Sequence, residues 1–527
     1  MNQTPATGMA RQSRRVMNLA HQLRNAARRH GGGIGFVHGA ATWSWAEMES
    51  HAIALAAGLA AEGVGKGDRV LVQSRNCLAM FLSMFACFRL GAVWVPTNFR
   101  QTPGEVAYLA HASGAVAMLC HVDFPEHAPA ARAACPSLRV SIAIGGDGYD
   151  AWLARHRGAA VPVADVEHDD PCWFFFTSGT TGRPKAAVLT HGQMGFVITN
   201  HLADLMPGMG PDDASLVVAP LSHGAGIHQL VQVARAVKTV LPGGERFDPA
   251  EAWAMVERWK ISNMFTVPTI LKLLVEHPTV DAHDHCSLRH VIYAGAPMYR
   301  ADQKYALAKL GPVLVQYFGL GEVTGNITVL PPALHRLDDG PHARIGTCGI
   351  ERTAMQVSIQ DEAGREVEDG ITGEICVCGP AVFAGYHDNP EANAKAFRDG
   401  WFRTGDLGHM DAEGFLYITG RASDMYISGG SNVYPREIEE RALEHPAVAE
   451  IAIVGMPDAV WGEVGVAVCV TRTALTEAAL IAFLAPLVAR YKLPRRVVFW
   501  DELPKSAYGK VPKALIRDAL LARGGWE

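Results

Sequence analysis

A chain of 527 residues, 49% hydrophobic and 19% charged, is too long for one hydrophobic core, so two or more domains are expected. A formal net charge of -6 offers no basic stripe for a phosphate backbone; this argues against nucleic-acid partners and confines any phosphate site to a local cradle. Ten cysteines spread irregularly from Cys77 to Cys469 exclude a disulfide framework and suggest reduced thiols in the cytoplasm.

At the N-terminus, Arg11, Arg14, Arg15, Arg24, Arg28 and Arg29 precede the first acidic residue, Glu47, as in an organelle-targeting leader. Val16, Leu19, Leu23 and Ala27 nevertheless recur at helical spacing before Gly31-Gly-Gly33, and predict an amphipathic first helix of the fold. From Thr42 to about Pro332 strand-like runs alternate with helical ones. Arg69-Val-Leu-Val-Gln73 is followed by an apolar helix from Cys77 to Phe88 and then by Ala92-Val-Trp-Val-Pro96. The Cys77 run is shorter than a membrane span and is closed by Arg89, so it reads as a buried helix, and no transmembrane segment is evident.

This rhythm predicts an α/β class with sheets covered by helices. His283, His285, Cys286 and His290 lie in an Asp-rich surface turn without ligand spacing, so no metal site is expected there. Between Asp338 and Gly379 short strands such as Met355 to Gln360 and Gly373 to Cys378 predict a distorted β-barrel unit. Cys376 and Cys378 fall on one face of such a strand, with no second pair to complete a metal site. After Arg421 a charged helix at Pro435 to Leu443, strands at Val448 to Val454 and Glu463 to Val470, a helix from Glu477 and a strand at Val497 to Trp500 form a small α+β unit. The predicted division is a large N-terminal domain, residues 1–421, and a C-terminal domain, residues 422–527.

The sharpest motif is Thr177-Ser-Gly-Thr-Thr-Gly-Arg-Pro-Lys185, between the strands Trp173 to Phe176 and Ala186 to Leu189. Its glycines let successive N–H groups turn toward one anion, and hydroxyls and a cation complete a cradle for triphosphate. It is not a Walker A loop, because Lys185 does not directly follow Gly182 and a strand comes next; the helix starts later, at the capping box Thr190-His-Gly-Gln193. Gly319-Leu-Gly-Glu-Val-Thr-Gly325 imitates a dinucleotide fingerprint, but its last glycine is one position late.

The Thr177 loop resembles the phosphate loop of the adenylate-forming superfamily of acyl-CoA synthetases, peptide-synthetase adenylation domains and luciferases, and further motifs follow in that superfamily's order as far as Arg517. The resemblance implies ATP, Mg²⁺ and coenzyme A as cofactors, a small-molecule carboxylic acid as partner, and a mobile C-terminal domain. It assigns the nucleotide's phosphates to Thr177, Ser178, Gly179, Thr180, Thr181, Gly182 and Lys185. Pro220-Leu-Ser-His223 is similar to the segment flanking the acyl pocket, where His223, Gly224 and Tyr317 would sit. Tyr293-Ala-Gly-Ala-Pro297 resembles the turn whose Gly295, Ala296 and Pro297 border adenine, and Gln316, Tyr317, Phe318, Gly319, Gly321 and Glu322 belong to a segment in which Phe318 stacks on adenine and Glu322 binds magnesium. By the same resemblance Asp406 takes the ribose hydroxyls, Arg421 adds a cation, Ser423 stands at the hinge, Gly429 and Gly430 line the pantetheine tunnel, and Lys510 reaches the phosphate during adenylation. Catalysis is assigned to Lys510, Glu322 and Thr177.

Gly321 and Ser423 depart from the pattern. Gly321 stands where a threonine donates to the α-phosphate, a loss of about 1–3 kcal/mol unless Thr324 or a water substitutes. The segment Leu90-Gly-Ala-Val-Trp-Val-Pro-Thr-Asn-Phe-Arg100 resembles fatty-acid and aryl CoA ligases, which implies free coenzyme A as acceptor. The pocket segments contain no lysine or arginine, which favours an uncharged aliphatic or aryl monocarboxylate. Transfer to a separate carrier protein, a non-catalytic nucleotide sensor and a homo-oligomeric assembly stay open at this point.

Overall fold

The structure is a computed structural model that describes residues 15–178, 183–244, 246–296, 298–340, 342–421, 423–428, 431–505 and 511–524. Its first helix, Ala20–His30, turns Leu23 and Ala26 into the core behind the equally buried Leu19 and leaves its arginines outside. The spacing of apolar positions therefore serves packing in the fold. The apolar run forms the helix Leu78–Leu90, buried almost throughout and ended by left-handed Gly91. No helix among the described residues is long and apolar enough to cross a membrane.

Two large sheets enclose the main core. In the six-stranded sheet Val140–Ile144, Ala117–His121, Arg69–Gln73, Val93–Pro96 and Pro171–Ser178 run parallel, and Pro184–Thr190 folds back antiparallel on the last of them. The fourteen-stranded sheet has a parallel heart of Lys238–Leu241, Ala214–Val217, Asn263–Thr266, His290–Tyr293 and Leu314–Phe318. Trp94, Trp173, Phe175 and Tyr317 belong to one buried cluster shared by the two sheets, with the two indoles edge to face at 4.6 Å. The mixed α/β class predicted from the alternation is the class observed.

The barrel-like unit is not closed. Thr328–Leu330 and Thr347–Glu351 continue the large sheet in antiparallel sense and hand it on to Leu416–Arg421, Trp401–Met410, Gly373–Cys378 and Gln356–Gln360. The edge that a barrel would have used for closure is instead spliced to the parallel sheet. A separate five-stranded sheet carries Tyr426–Ser428, Ser431–Val433, Val448–Asp458, Gly462–Thr471 and Arg496–Phe499, with helices Pro435–Ala442, Glu477–Leu484 and Lys513–Arg523. All ten cysteines are free thiols. Among the described residues no cluster of His, Cys, Asp and Glu has the makings of a metal cage; His283 instead hydrogen-bonds Glu257 at 2.8 Å.

The predicted capping box is present. Gln193 N–H donates to Thr190 Oγ1 and Thr190 N–H to Gln193 Oε1, opening the helix His191–Asp204. Because this cap is buried, Thr190→Ala is expected to destabilise the protein by about 1 kcal/mol, seen as a lower urea midpoint; an unchanged midpoint would mean that the helix start does not depend on the cap.

Candidate active site

Four adjacent parallel strands aim their carboxyl ends at one crevice. Ala214–Val217 leads to His223, Asn263–Thr266 carries Phe265 near its end, His290–Tyr293 leads to Gly295, and Leu314–Phe318 leads to Glu322. Such a position, outside the carboxyl ends of parallel strands, is the usual place for a ligand in an open α/β sheet.

Glu322 sits in the short helical turn Gly321–Val323 and is only 5% exposed. The turn closes tightly on itself: a Cβ on Gly319 would lie 2.4 Å from Gly325 Cα, so no larger residue fits. Thr177 Oγ1 donates a 2.8 Å hydrogen bond to Glu322 Oε1, and the Tyr386 hydroxyl donates a 2.9 Å bond to the same oxygen. Thr177 faces Lys185 across the hairpin register, and Lys185 Nζ lies 5.2 Å from the centre of the Tyr386 ring. A hydroxyl, a carboxylate and a cation thus meet at the base of the Gly-rich hairpin. Gly179, Thr180, Thr181 and Gly182, with the side chain of Ser178, lie outside the described residues.

The segments expected to flank the acyl group are lined with aromatic rings. His223 packs against Phe175 at 4.4 Å between ring centres, and Gly224 lies so close to Phe265 that a Cβ would come within 2.9 Å of its ring. One turn further along the helix Gly224–Ala234, His228 stacks on the other side of the cluster at 4.4 Å from Phe265, with Tyr317 5.8 Å away. Strand alternation sends Tyr317 inward to these rings and leaves the neighbouring Gln316 and Phe318 on the opposite face, half-buried. Burial, with help from Arg352, pulls the His228 imidazole down to about 3, and His201 is likewise held well below its ordinary value, so both are neutral near pH 7. Arg352, from a segment remote in sequence, reaches this layer fully buried. It is paired with Asp204 at 3.1 Å, and its Nη2 lies 3.4 Å from His201 Nδ1. The sequence offered no sign of this arginine beside these rings, but its charge is already matched by Asp204.

Of the residues expected to border the nucleotide, Gly295 and Ala296 are exposed beyond Tyr293, whose hydroxyl donates to Gln316 Oε1 at 3.1 Å. Asp406 is almost fully buried. Arg421, expected to contact the sugar or phosphate itself, donates from Nε to Asp406 Oδ1 at 3.0 Å, because the two face each other in paired strands. Ser423 is exposed, and its hydroxyl lies 3.3 Å from Asp424 Oδ1. Pro297, Gly429, Gly430 and Lys510 lie outside the described residues.

The Gly321 departure acquires a physical reason. A Cβ at Gly321 would lie 2.6 Å from the Phe175 ring and 2.9 Å from Thr177 Cγ2. The ring is 3% exposed and wedged between Trp173 and His223, so it has no space to retreat. Thr324 cannot stand in for the missing donor: its hydroxyl is buried and donates to Val323 O at 2.7 Å.

Residues 23–387 match the AMP-binding enzyme family, and residues 437–510 match the AMP-binding enzyme C-terminal domain. The chain belongs to the AMP-binding enzyme family. A feruloyl-CoA synthase of Amycolatopsis is 37% identical over 492 residues, covering 91% of this chain and 94% of the relative. An indoleacetate–CoA ligase of Aromatoleum aromaticum is 34% identical over 487 residues, covering 91% and 93%. Among solved structures, ATP-bound MatB of Rhodopseudomonas palustris superimposes with a TM-score of 0.86 at 29% identity, over 95% of this chain and 98% of that one. This AMP-binding enzyme is an ATP-dependent, AMP-forming acid–thiol ligase that makes an acyl-CoA by way of acyl-AMP and uses Mg²⁺ and coenzyme A.

Sequence reading missed Phe175, Tyr386, Phe265 and the Arg352–Asp204 pair. Only Gly379-Pro-Ala-Val-Phe-Ala-Gly-Tyr386, a glycine-flanked stretch after a strand, carried a signal that backbone there approaches something closely. In this enzyme Gly321→Thr is expected to slow adenylation by roughly tenfold or more through overpacking, and Phe175→Ala with Gly321→Thr to recover part of the loss. Pyrophosphate release measures both; a faster Gly321→Thr single variant would contradict the steric fit.

Proposed function

We propose that the ligase activates an uncharged aliphatic or aryl monocarboxylic acid, and that both half-reactions use the crevice around Glu322. The observation that carries this reading is the meeting of Glu322, Thr177 and Lys185 beside the packed rings of Phe175 and His223. Glu322 suits magnesium, which takes one or two carboxylates and otherwise keeps waters and substrate phosphates, so no larger protein cage is needed. When bound, the ion offsets the negative charge of the nucleotide phosphates.

In the first half-reaction a carboxylate oxygen of the acid attacks the α-phosphorus of ATP, the bond to the bridging oxygen breaks, and pyrophosphate leaves. Negative charge grows on the phosphate oxygens along this path, and Lys185, the Thr177 loop and Lys510 are assigned to stabilise it more strongly than in the ground state. Asp406, held by Arg421, is suited to accept hydrogen bonds from both ribose hydroxyls, since one ionised carboxylate has room for two donors. Phe318 and the exposed backbone of Gly295 and Ala296 are assigned to the adenine, and His223, Gly224 and Tyr317 to the acyl group.

The second half-reaction requires a different partner. We assign residues 1–421 and 422–527 to two domains, with the hinge at Ser423, so that the smaller domain withdraws Lys510 and presents Gly429 and Gly430 to the pantetheine arm. The thiol sulfur then attacks the acyl carbonyl, AMP leaves, and the thiol proton passes to solvent. The pocket supports a monocarboxylate because Arg352 is already neutralised by Asp204, and a second substrate carboxylate would be buried without a partner. The aromatic acids in the names of two relatives agree with the stacked rings of Phe265, His228 and Tyr317.

Lys510→Ala is expected to lower adenylation by at least about 100-fold while leaving thioester formation from supplied acyl-AMP close to wild type; equal loss of both halves would contradict the swing. A panel of acids from acetate to long-chain and benzoate, scored by coenzyme A-dependent pyrophosphate release, is expected to favour neutral monocarboxylates. Best turnover with malonate would overturn the charge argument.

A further inference from the structure

We propose that Tyr386 is a positioning residue that joins the metal-binding carboxylate to the phosphate-loop cation, holding Glu322 through its hydroxyl and Lys185 over its ring. The inference rests on the assignment of Glu322 to magnesium. Glu322 Oε1 accepts hydrogen bonds from Tyr386 at 2.9 Å and from Thr177 at 2.8 Å. Two donors fill the lone-pair directions of one carboxylate oxygen, which leaves Oε2 as the oxygen for a cation. Without the tyrosine, the carboxylate keeps a single side-chain tether and can rotate to offer either oxygen.

The Tyr386 backbone is fixed well enough to act as such a support. Its N–H donates to Asn393 Oδ1 at 2.7 Å, and Asn393 Nδ2 returns a bond to Tyr386 O at 3.0 Å. On either side, Val188 N–H donates to Gly385 O at 2.9 Å and His387 N–H to Ala186 O at 2.9 Å, so the segment is laced to the very strand that carries Lys185. Phe383 N–H donates to the Glu322 carbonyl at 2.8 Å, tying the same segment to the Glu322 turn. One tyrosine therefore spans two elements 137 positions apart in the chain, Lys185 and Glu322.

The test is ATP binding measured calorimetrically across a Mg²⁺ series for the wild type, Tyr386→Phe, Tyr386→Leu and Glu322→Gln. Tyr386→Phe keeps the ring and is expected to leave metal-free ATP affinity unchanged while raising the Mg²⁺ concentration for half of the affinity gain about tenfold, the usual scale for a hydrogen bond to a charged group. Tyr386→Leu is expected to show the same Mg²⁺ shift and, in addition, a loss of about two- to fivefold in metal-free ATP affinity, because Lys185 loses its aromatic face. A wild-type Mg²⁺ response in Tyr386→Phe, beside a response lost in Glu322→Gln, would overturn the role of Tyr386 alone. A wild-type Mg²⁺ response in Glu322→Gln would remove the metal assignment itself, and the inference with it. Weakened metal-free binding in Tyr386→Phe would mean general damage to the site and also count against it.

Discussion

A carboxylate buried as deeply as Glu322 is costly unless polar partners replace its water, and the active-site crevice is organised around that requirement. The two hydroxyls that meet it come from different elements. Thr177 belongs to the strand entering the Gly-rich hairpin, and Tyr386 to the segment paired with the strand that leaves it. Satisfying one side chain therefore fixes the relative position of the six-stranded sheet, the end of the parallel heart of the large sheet, and the antiparallel extension. The glycines at 319 and 325 are the backbone counterpart of this constraint, since the turn bearing Glu322 closes only where neither carries a side chain.

The same crowding explains why the site departs from its family's pattern without a gap. Phe175 occupies the space that a side chain at position 321 would need, and its ring packs against His223. The absence of a side chain at position 321 leaves room for the packed rings of Phe175 and His223. Around these rings lie neutral histidines and an arginine whose charge is matched by Asp204, so the layer is polar in composition while its buried arginine is neutralised.

Much of this architecture was legible in the sequence because it is written in short-range patterns. Gly373–Cys378 was delimited to the residue by alternation, the helix after Thr190 by its capping box, and Pro435–Ala442 to within one residue. The helix Lys513–Arg523 escaped notice because only Ile516 and Leu520 are buried on it, a stripe too narrow to stand out among charged neighbours. Alternation identifies a strand but not its partner, which is why the β unit was read as a barrel when it is an extension of the large sheet. For the site, motif order singled out Thr177, Glu322 and Asp406 as candidates. Phe175, Tyr386 and Arg352 act through contacts with residues tens to hundreds of positions away, and no local spacing encodes such pairings.

The most direct measurement of the central role given to Glu322 is carboxylic acid-dependent exchange of labelled pyrophosphate into ATP, compared between wild type and Glu322→Gln at saturating Mg²⁺. Exchange in the wild type, reduced at least about 100-fold in a folded Glu322→Gln variant, is the predicted result. Undiminished exchange in Glu322→Gln, or none in the wild type with any acid from acetate to benzoate and long-chain acids, would contradict it.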